Sequence, residues 1–232
     1  MPVSVIRTLF IFLVIACILI VHSFLAASEQ KAYQKAFWRK GAAGLCFIAA
    51  GILAGTLCRD HRFAALTVTG LILGLAGDQL LALRFIYPHK SDRFFAAGGS
   101  AFAIGHILYF FALLHTGSIR LAVLLPAAAA GLAVSILYGR IKKTDGGSMK
   151  ILLTGYMTLL SVVNACAWGA AAGSSSLGLL VFAAGTLFFL VSDNILFAYC
   201  FSPRATRGMY RAVHVTYYTA QLCIGAAMGL LL

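Results

Sequence analysis

The chain has 232 residues, of which 62% are hydrophobic and only 10% are charged. Soluble domains carry about 25% charged residues and cannot keep this much apolar surface from water, so an ordinary soluble fold is excluded. The formal net charge is +12. The basic residues nevertheless form no cluster or arm and separate the apolar stretches instead, a pattern that indicates membrane topology and not nucleic-acid binding.

The apolar stretches are continuous and about 20 residues long, which is the length that an α-helix needs to cross a bilayer. A membrane β-barrel would show alternating segments of about 10 residues. The sequence therefore predicts an all-α integral membrane protein, a bundle of about eight transmembrane helices in a single domain over residues 1–232. The predicted spans are residues 5–27, 41–58, 63–83, 94–115, 119–139, 149–171, 176–200 and 210–231.

The distribution of Lys and Arg predicts the orientation of these spans. The first, third, fifth and seventh loops and their flanks hold fourteen of them: Lys31, Lys35, Arg39, Lys40, Arg84, Lys90, Arg93, Arg140, Lys142, Lys143, Lys150, Arg204, Arg207 and Arg211. The other side holds four: Arg7, Arg59, Arg62 and Arg120. Because cytoplasmic loops are enriched in Lys and Arg, we expect a bacterial inner-membrane protein with both termini in the periplasm.

Two of the six acidic residues, Asp78 and Asp193, fall inside predicted spans. Each follows a small residue and precedes an amide and two aliphatic residues, and a glycine lies eight residues upstream. A charged side chain near the centre of a membrane helix costs about 2.5–3.5 kcal/mol on insertion scales. A matched pair at this cost predicts a functional site, although each aspartate could also be a structural hydrogen-bond partner.

A His-x-x-Tyr step follows each aspartate span, at His106–Tyr109 and at His214–Tyr217. The third and fourth spans thus resemble the seventh and eighth, which suggests a four-plus-four repeat of parallel orientation with both aspartates at similar depth. Further polar candidates for the site are Tyr156, Asn164, Tyr218 and Gln221. Alternative roles stay open for several candidates: His106 as a satisfied core residue, Asn164 as an interhelical contact, and the paired tyrosines as interfacial aromatics.

Four stretches in this order resemble the YhhN family, the bacterial relatives of mammalian lysoplasmalogenases. They are Gly77–Leu81, Phe102–Tyr109, Phe189–Leu196 and Tyr217–Gln221. The resemblance extends over residues 40–225 and includes the eight-span architecture. The family often has Lys-Pro at the start of the second span, where this chain has Lys40-Gly41.

The resemblance implies hydrolysis of the vinyl ether bond of a lysoplasmalogen, a lysophospholipid, to a fatty aldehyde and glycerophospho-ethanolamine or -choline. The two family aspartates map onto Asp78 and Asp193. Vinyl ether hydrolysis begins with protonation of the outer alkene carbon, and water then captures the oxocarbenium ion. A carboxyl pair supplies an acid and a base for such steps in glycosidases, so no metal or cofactor is expected.

Two other functions compete with this interpretation. A small proton-coupled transporter or lipid carrier could use the same aspartates as proton sites, although no proline breaks either aspartate span. A zinc-dependent hydrolase would need ligand spacings such as HxxxH or HExxH. The sequence has none of these.

Overall fold

The computed structural model describes residues 2–117 and 119–231, and these form eight long α-helices, two short 3₁₀ turns and no strand. The helices are α1 (Val3–Glu29), α2 (Tyr33–Gly55), α3 (His61–Ile86), α4 (Ser91–His115), α5 (Leu121–Lys142), α6 (Lys150–Ser174), α7 (Leu177–Phe201) and α8 (Arg207–Met228). The 3₁₀ turns are Pro88–Lys90 and Gly147–Met149. The predicted helical membrane bundle is confirmed.

Seven of the helices in the described part of the chain, α1 to α7, are long and apolar enough to cross a membrane. The protein is therefore a multi-pass membrane protein. Helix α8 has 22 residues but does not meet the same criterion of apolarity. It contains polar side chains such as His214, Tyr217 and Gln221, and these are buried inside the bundle, where other helices cover them.

The predicted start of the second span was wrong. Helix α2 begins at Tyr33, eight residues before the predicted boundary, so Arg39 and Lys40 are helical residues and not loop residues. Both are used within the bundle: Arg39 donates a hydrogen bond to the carbonyl oxygen of Ser23 in α1, and Lys40 is only 5% exposed. Lys40 therefore does not belong in the count of cytoplasmic loop charges, which becomes thirteen against four.

Contacts between helix ends distinguish the two ends of the bundle. At one end, Ser28 of α1 shares a hydrogen bond with Tyr210 of α8, and the N–H of Asp145 donates to the carbonyl oxygen of Phe201. This end carries the loops rich in Lys and Arg, and we call it the basic end. At the opposite end, the backbone N–H of Arg59 donates to the C-terminal segment.

The order of helix packing has the pattern expected of a four-plus-four repeat. Helices α1 to α4 pack successively on one another, and α5 to α8 do the same. Between the halves, α2 packs on α8 and α4 packs on α6. These two contacts are equivalent if α1–α4 corresponds to α5–α8.

Helices α3 and α4 approach closely at Gly77 and Gly98. Gly77 directly precedes Asp78 on α3, and Gly98 lies about one turn before Phe102 on α4. A Cβ atom at either glycine would lie 2.9 Å from the carbonyl oxygen of the other, so both positions require glycine at this separation. Small residues allow membrane helices to pack at short range in this way. The contact fixes Asp78 of α3 beside the face of α4 that carries Phe102.

Candidate active site

A small cavity of about 40 Å³ lies inside the bundle toward its basic end, and both aspartates line it. Asp78 comes from α3 and Asp193 from α7, and each residue is only 3% exposed. We call this space the inner cavity. Its other polar lining side chains are Lys40, Arg84, Ser192, Tyr199, Cys200, Tyr210, His214 and Tyr217.

Asp78 forms a buried ion pair with Lys40 of α2. The lysine Nζ lies 2.7 Å from Oδ1 of Asp78 and also donates to the aspartate's backbone carbonyl oxygen at 3.2 Å. The hydroxyl of Tyr218 donates to Oδ2 at 3.2 Å. A buried carboxylate is tolerated when a cation and hydrogen-bond donors meet its oxygens, so this environment suits an ionised Asp78.

Asp193 has a different environment, because its partner is a neutral hydroxyl. Tyr156 of α6 donates a hydrogen bond to its Oδ2 at 2.5 Å. Within the described residues, no Lys, Arg or His nitrogen lies within ion-pair distance of Asp193. Since burial of an unpaired charge is far more costly than burial of a neutral hydrogen-bonded group, this environment suits a protonated carboxyl group.

The two aspartates are held in corresponding ways by the two halves of the chain. Lys40 precedes Asp78 by 38 residues and lies on α2, and Tyr156 precedes Asp193 by 37 residues and lies on α6. In each half, the helix before the aspartate helix supplies the partner side chain. The partner comes from the corresponding helix in each half, but it is a cation for Asp78 and a phenol for Asp193.

An apolar groove of about 370 Å³ lies between α4 and α6 and reaches Asp193. Gly99 of α4 and Gly155 of α6 line it, and its outer residue Ile151 is 88% exposed on the surface of the bundle. We call it the α4–α6 groove. The side chains that line both this groove and the inner cavity are Leu81, Phe102, Asp193 and Leu196. The two spaces are therefore adjacent, with Asp193 between them.

Four of the predicted supporting residues are close to the aspartates. Tyr156 and Tyr218 are the hydrogen-bond partners described above, and His214 and Tyr217 line the inner cavity. The hydroxyl of Tyr217 donates to the carbonyl oxygen of Gly74 at 3.1 Å. The Nδ1 atom of His214 lies 2.8 Å from the carbonyl oxygen of Tyr210.

The other four predicted residues, His106, Tyr109, Asn164 and Gln221, line neither space. His106 lies behind the site, with Nδ1 at 2.9 Å from the carbonyl oxygen of Phe102 and its ring against Phe189. Asn164 accepts a hydrogen bond from Thr186 of α7 at 3.2 Å. Asn164 thus makes the interhelical contact that the sequence left open as its alternative role. His106 is not fully satisfied, because its Nε2 atom is buried without a hydrogen-bond partner among the described residues.

Two charged residues of the inner cavity, Lys40 and Arg84, are not among the residues that the sequence predicts for the site. Both were counted as loop charges because they lie near the ends of apolar stretches. For Lys40 a signal was present, since the resemblance includes a lysine at the start of the second span. Arg84 lies in the last turn of α3, and its position in the sequence does not distinguish it from other flanking arginines.

No group of three or more His, Cys, Asp or Glu side chains is arranged to hold a metal ion in residues 2–117 and 119–231.

The fold and the cavity define a polytopic α-helical membrane protein with two buried carboxyl groups in a polar cavity, one of which, Asp193, also lines an adjacent apolar groove. The family model of the YhhN family matches residues 6–228, and the chain belongs to this family. Neither a curated protein nor a solved structure matches the chain.

Proposed function

We propose that this protein is a lysoplasmalogenase-like hydrolase that cleaves the vinyl ether bond of a lysoplasmalogen by acid–base catalysis with Asp193 and Asp78. The observation that carries the proposal is the difference between the two carboxyl groups that share the inner cavity. One is paired with Lys40, and among the described residues the other has the Tyr156 hydroxyl as its side-chain partner. Pairs of carboxyl groups in unlike environments can act as acid and base at the same pH.

The unpaired aspartate, Asp193, is the general acid in this proposal. Its proton goes to the outer alkene carbon, and the electron pair of the double bond forms the new C–H bond and leaves an oxocarbenium ion. Asp78, held ionised by Lys40, takes a proton from water as the water oxygen attacks the cationic carbon. The product of this step is a hemiacetal.

The same two groups complete the reaction in the reverse roles. The Asp193 carboxylate accepts the hemiacetal hydroxyl proton, the bond between that carbon and the glycerol oxygen breaks, and protonated Asp78 gives its proton to the departing oxygen. The products are a fatty aldehyde and a glycerophospho alcohol. One water molecule is consumed, and both carboxyl groups return to their starting protonation states.

The shape of the site supports a single-chain amphiphile as the substrate. The α4–α6 groove is lined by apolar side chains and has a volume of about 370 Å³, which suits a hydrocarbon chain. Asp193 lies where this groove meets the inner cavity. A chain bound in the groove would bring its polar end, and the vinyl ether next to that end, to Asp193.

The direct test is an assay of the purified protein in detergent with 1-alkenyl lysophosphatidylethanolamine, in which fatty aldehyde is measured. The matched controls are the 1-alkyl ether and the 1-acyl ester of the same chain length, which cannot form the oxocarbenium ion by carbon protonation. We expect aldehyde from the alkenyl lipid alone. Uptake of the lipid into proteoliposomes without aldehyde would support the transporter or lipid carrier instead, and loss of activity with a chelator would indicate a metal.

A further inference from the structure

Arg84 of α3 is a cation of the inner cavity that the proposed hydrolysis does not use. Its guanidinium Nε donates to the hydroxyl of Ser91 at 3.3 Å, its Nη1 donates to the thiol sulfur of Cys200 at 3.4 Å, and its Cζ atom lies 4.7 Å from the centre of the Phe95 ring. Within the described residues, Nη2 has no hydrogen-bond partner and no carboxylate lies within ion-pair distance.

The positive charge of Arg84 is not neutralised by the other charged side chains of the inner cavity. Lys40 and Asp78 neutralise each other as an ion pair, and Asp193 is neutral when it carries the proton required of a general acid. A half-buried guanidinium with free N–H donors is the side chain best suited to bind a phosphate group, because its planar fork matches two phosphate oxygens.

We propose that Arg84 binds the phosphodiester of the lysophospholipid headgroup, while the hydrocarbon chain lies in the α4–α6 groove. This inference rests on the proposed function. Arg84 thereby becomes the residue that selects phospholipids from other single-chain amphiphiles.

The spacing along the helices fits this arrangement. Cys200, which Arg84 contacts, follows Asp193 by seven residues of α7, a rise of about 10 Å. Six single bonds separate the vinyl ether carbon from the phosphorus, and an extended chain of three bonds spans about 3.5 Å, which gives about 7 Å between these atoms. The reach of a carboxyl group and of a phosphate oxygen accounts for the remainder. A substrate with its vinyl ether at Asp193 can thus place its phosphate at Arg84.

The test compares two substrates with the same alkenyl chain, 1-alkenyl lysophosphatidylethanolamine and 1-alkenylglycerol, which lacks the phosphate. For Arg84→Gln we expect the ratio of kcat/KM between phospholipid and alkenylglycerol to fall about 10- to 100-fold, the effect of a lost charge-assisted hydrogen bond. The change should be in KM, and Arg84→Lys should recover part of it. Arg93→Gln is the matched control because Arg93 is exposed near the same end and lines neither the inner cavity nor the α4–α6 groove. An unchanged ratio in Arg84→Gln would overturn the role of Arg84.

A binding measurement separates this inference from the proposed function. The measurement is the increase in unfolding temperature caused by a lipid without a vinyl ether bond, so it needs no turnover. The two lipids compared are 1-acyl lysophosphatidylethanolamine with a saturated chain and monoacylglycerol of equal chain length. We expect the phospholipid to stabilise the parent protein more than the glyceride, and Arg84→Gln to lose this preference. If the parent releases no aldehyde but shows the Arg84-dependent preference, the hydrolase fails and the headgroup site stands. If the parent releases aldehyde and shows no preference, the headgroup site fails alone.

Inorganic phosphate alone distinguishes a lipid headgroup from a free anion as the ligand. We expect millimolar phosphate neither to stabilise the parent protein nor to compete with the phospholipid, because the free ion lacks the chain that holds the lipid in the groove. Stabilisation by phosphate that Arg84→Gln abolishes would contradict the lipid headgroup and indicate a free-phosphate site.

Discussion

At the scale of single residues, the site depends on how two aspartates of similar sequence context acquire different chemistry. Asp78 and Asp193 are equally buried, so burial does not distinguish them. The difference comes from one side chain on a neighbouring helix in each half: the ammonium group of Lys40 for Asp78, and the hydroxyl group of Tyr156 for Asp193. Substitutions of these partners therefore test the roles of the aspartates without changing the carboxyl groups themselves.

The Lys40–Asp78 pair should be required for both stability and activity. A double substitution separates the effect on stability from the effect on activity. Lys40→Met leaves a buried carboxylate without its cation, which typically destabilises a protein by about 3–5 kcal/mol. Lys40→Met with Asp78→Asn removes both charges and should restore most of the lost stability. Thermal unfolding in detergent measures this, and the aldehyde assay should find both variants inactive. Activity in the double variant would contradict the assignment of Asp78 as the base.

Tyr156→Phe should reduce activity without loss of folding. The change removes one hydroxyl and leaves the ring, so Asp193 loses the hydrogen bond from Tyr156 while the packing of α6 on α7 is retained. Loss of one such bond corresponds to about a tenfold fall in kcat. Tyr87→Phe is the matched control, since Tyr87 is half-exposed and lies outside both spaces. Equal activity in the two variants would show that Tyr156 does not position Asp193.

At the scale of secondary structure, the α4–α6 groove can be filled without disturbing the helices that form it. Gly99 and Gly155 line the groove, and a Cβ atom added at either position would meet no atom within 4 Å. Replacement of a helical glycine also removes an unfavourable contribution to helix formation. Gly99→Phe and Gly155→Phe should therefore fold as well as the parent protein.

These two variants should lose activity on long-chain substrates. Exclusion of only two methylene groups from the groove costs about 1.6 kcal/mol, which is roughly a tenfold loss of affinity. The measurement is KM for alkenyl lysophospholipids of increasing chain length, with Ile104→Phe as the control because Ile104 is on α4, half-exposed and outside the groove. Chain-length dependence equal to that of the parent would show that the chain binds elsewhere.

The helices themselves could be predicted well from the sequence, since long apolar stretches have few alternatives in a membrane. The polar contacts between helices could not, because they depend on rotation and depth, which hydropathy does not specify. A lysine beside an apolar stretch is usually at the interface, so the sequence predicts a loop position for Lys40. The shared His-x-x-Tyr step predicts His106 and His214 as site residues alike, whereas of these two only His214 lines the inner cavity.

At the scale of the whole molecule, the proposed orientation places the basic end of the bundle in the cytoplasm of a bacterial inner membrane. Arg84 and the inner cavity lie toward this end, so the headgroup would be drawn from the cytoplasmic leaflet. The test is cysteine labelling in intact cells, after replacement of the native cysteines Cys17, Cys46, Cys58, Cys166, Cys200 and Cys223. A membrane-impermeant reagent should label Arg59→Cys in intact cells and Lys143→Cys only after permeabilisation. The reverse pattern would contradict the orientation.

The repeat could be suspected from two short motifs and is matched by the packing of the two halves, in which α2 on α8 mirrors α4 on α6. The sequence could not predict which motif residues take part in the site. Tyr217 lines the inner cavity, whereas the corresponding Tyr109 is buried against Gly70 with its hydroxyl outside both spaces. The two halves thus have a similar order of helix packing but differ in the side chains that reach the site.

The central claim is that both aspartates are chemical participants, and Asp78→Asn and Asp193→Asn test it most directly. An amide has nearly the volume of a carboxyl group, so packing should survive, while proton delivery and water activation should not. We expect aldehyde release from 1-alkenyl lysophosphatidylethanolamine to fall about 10²–10⁴-fold in each variant, with Asp193→Asn unfolding at a temperature no lower than the parent. Near-parental activity in either variant, or a loss of activity that follows loss of folding in Asp193→Asn, would contradict the account.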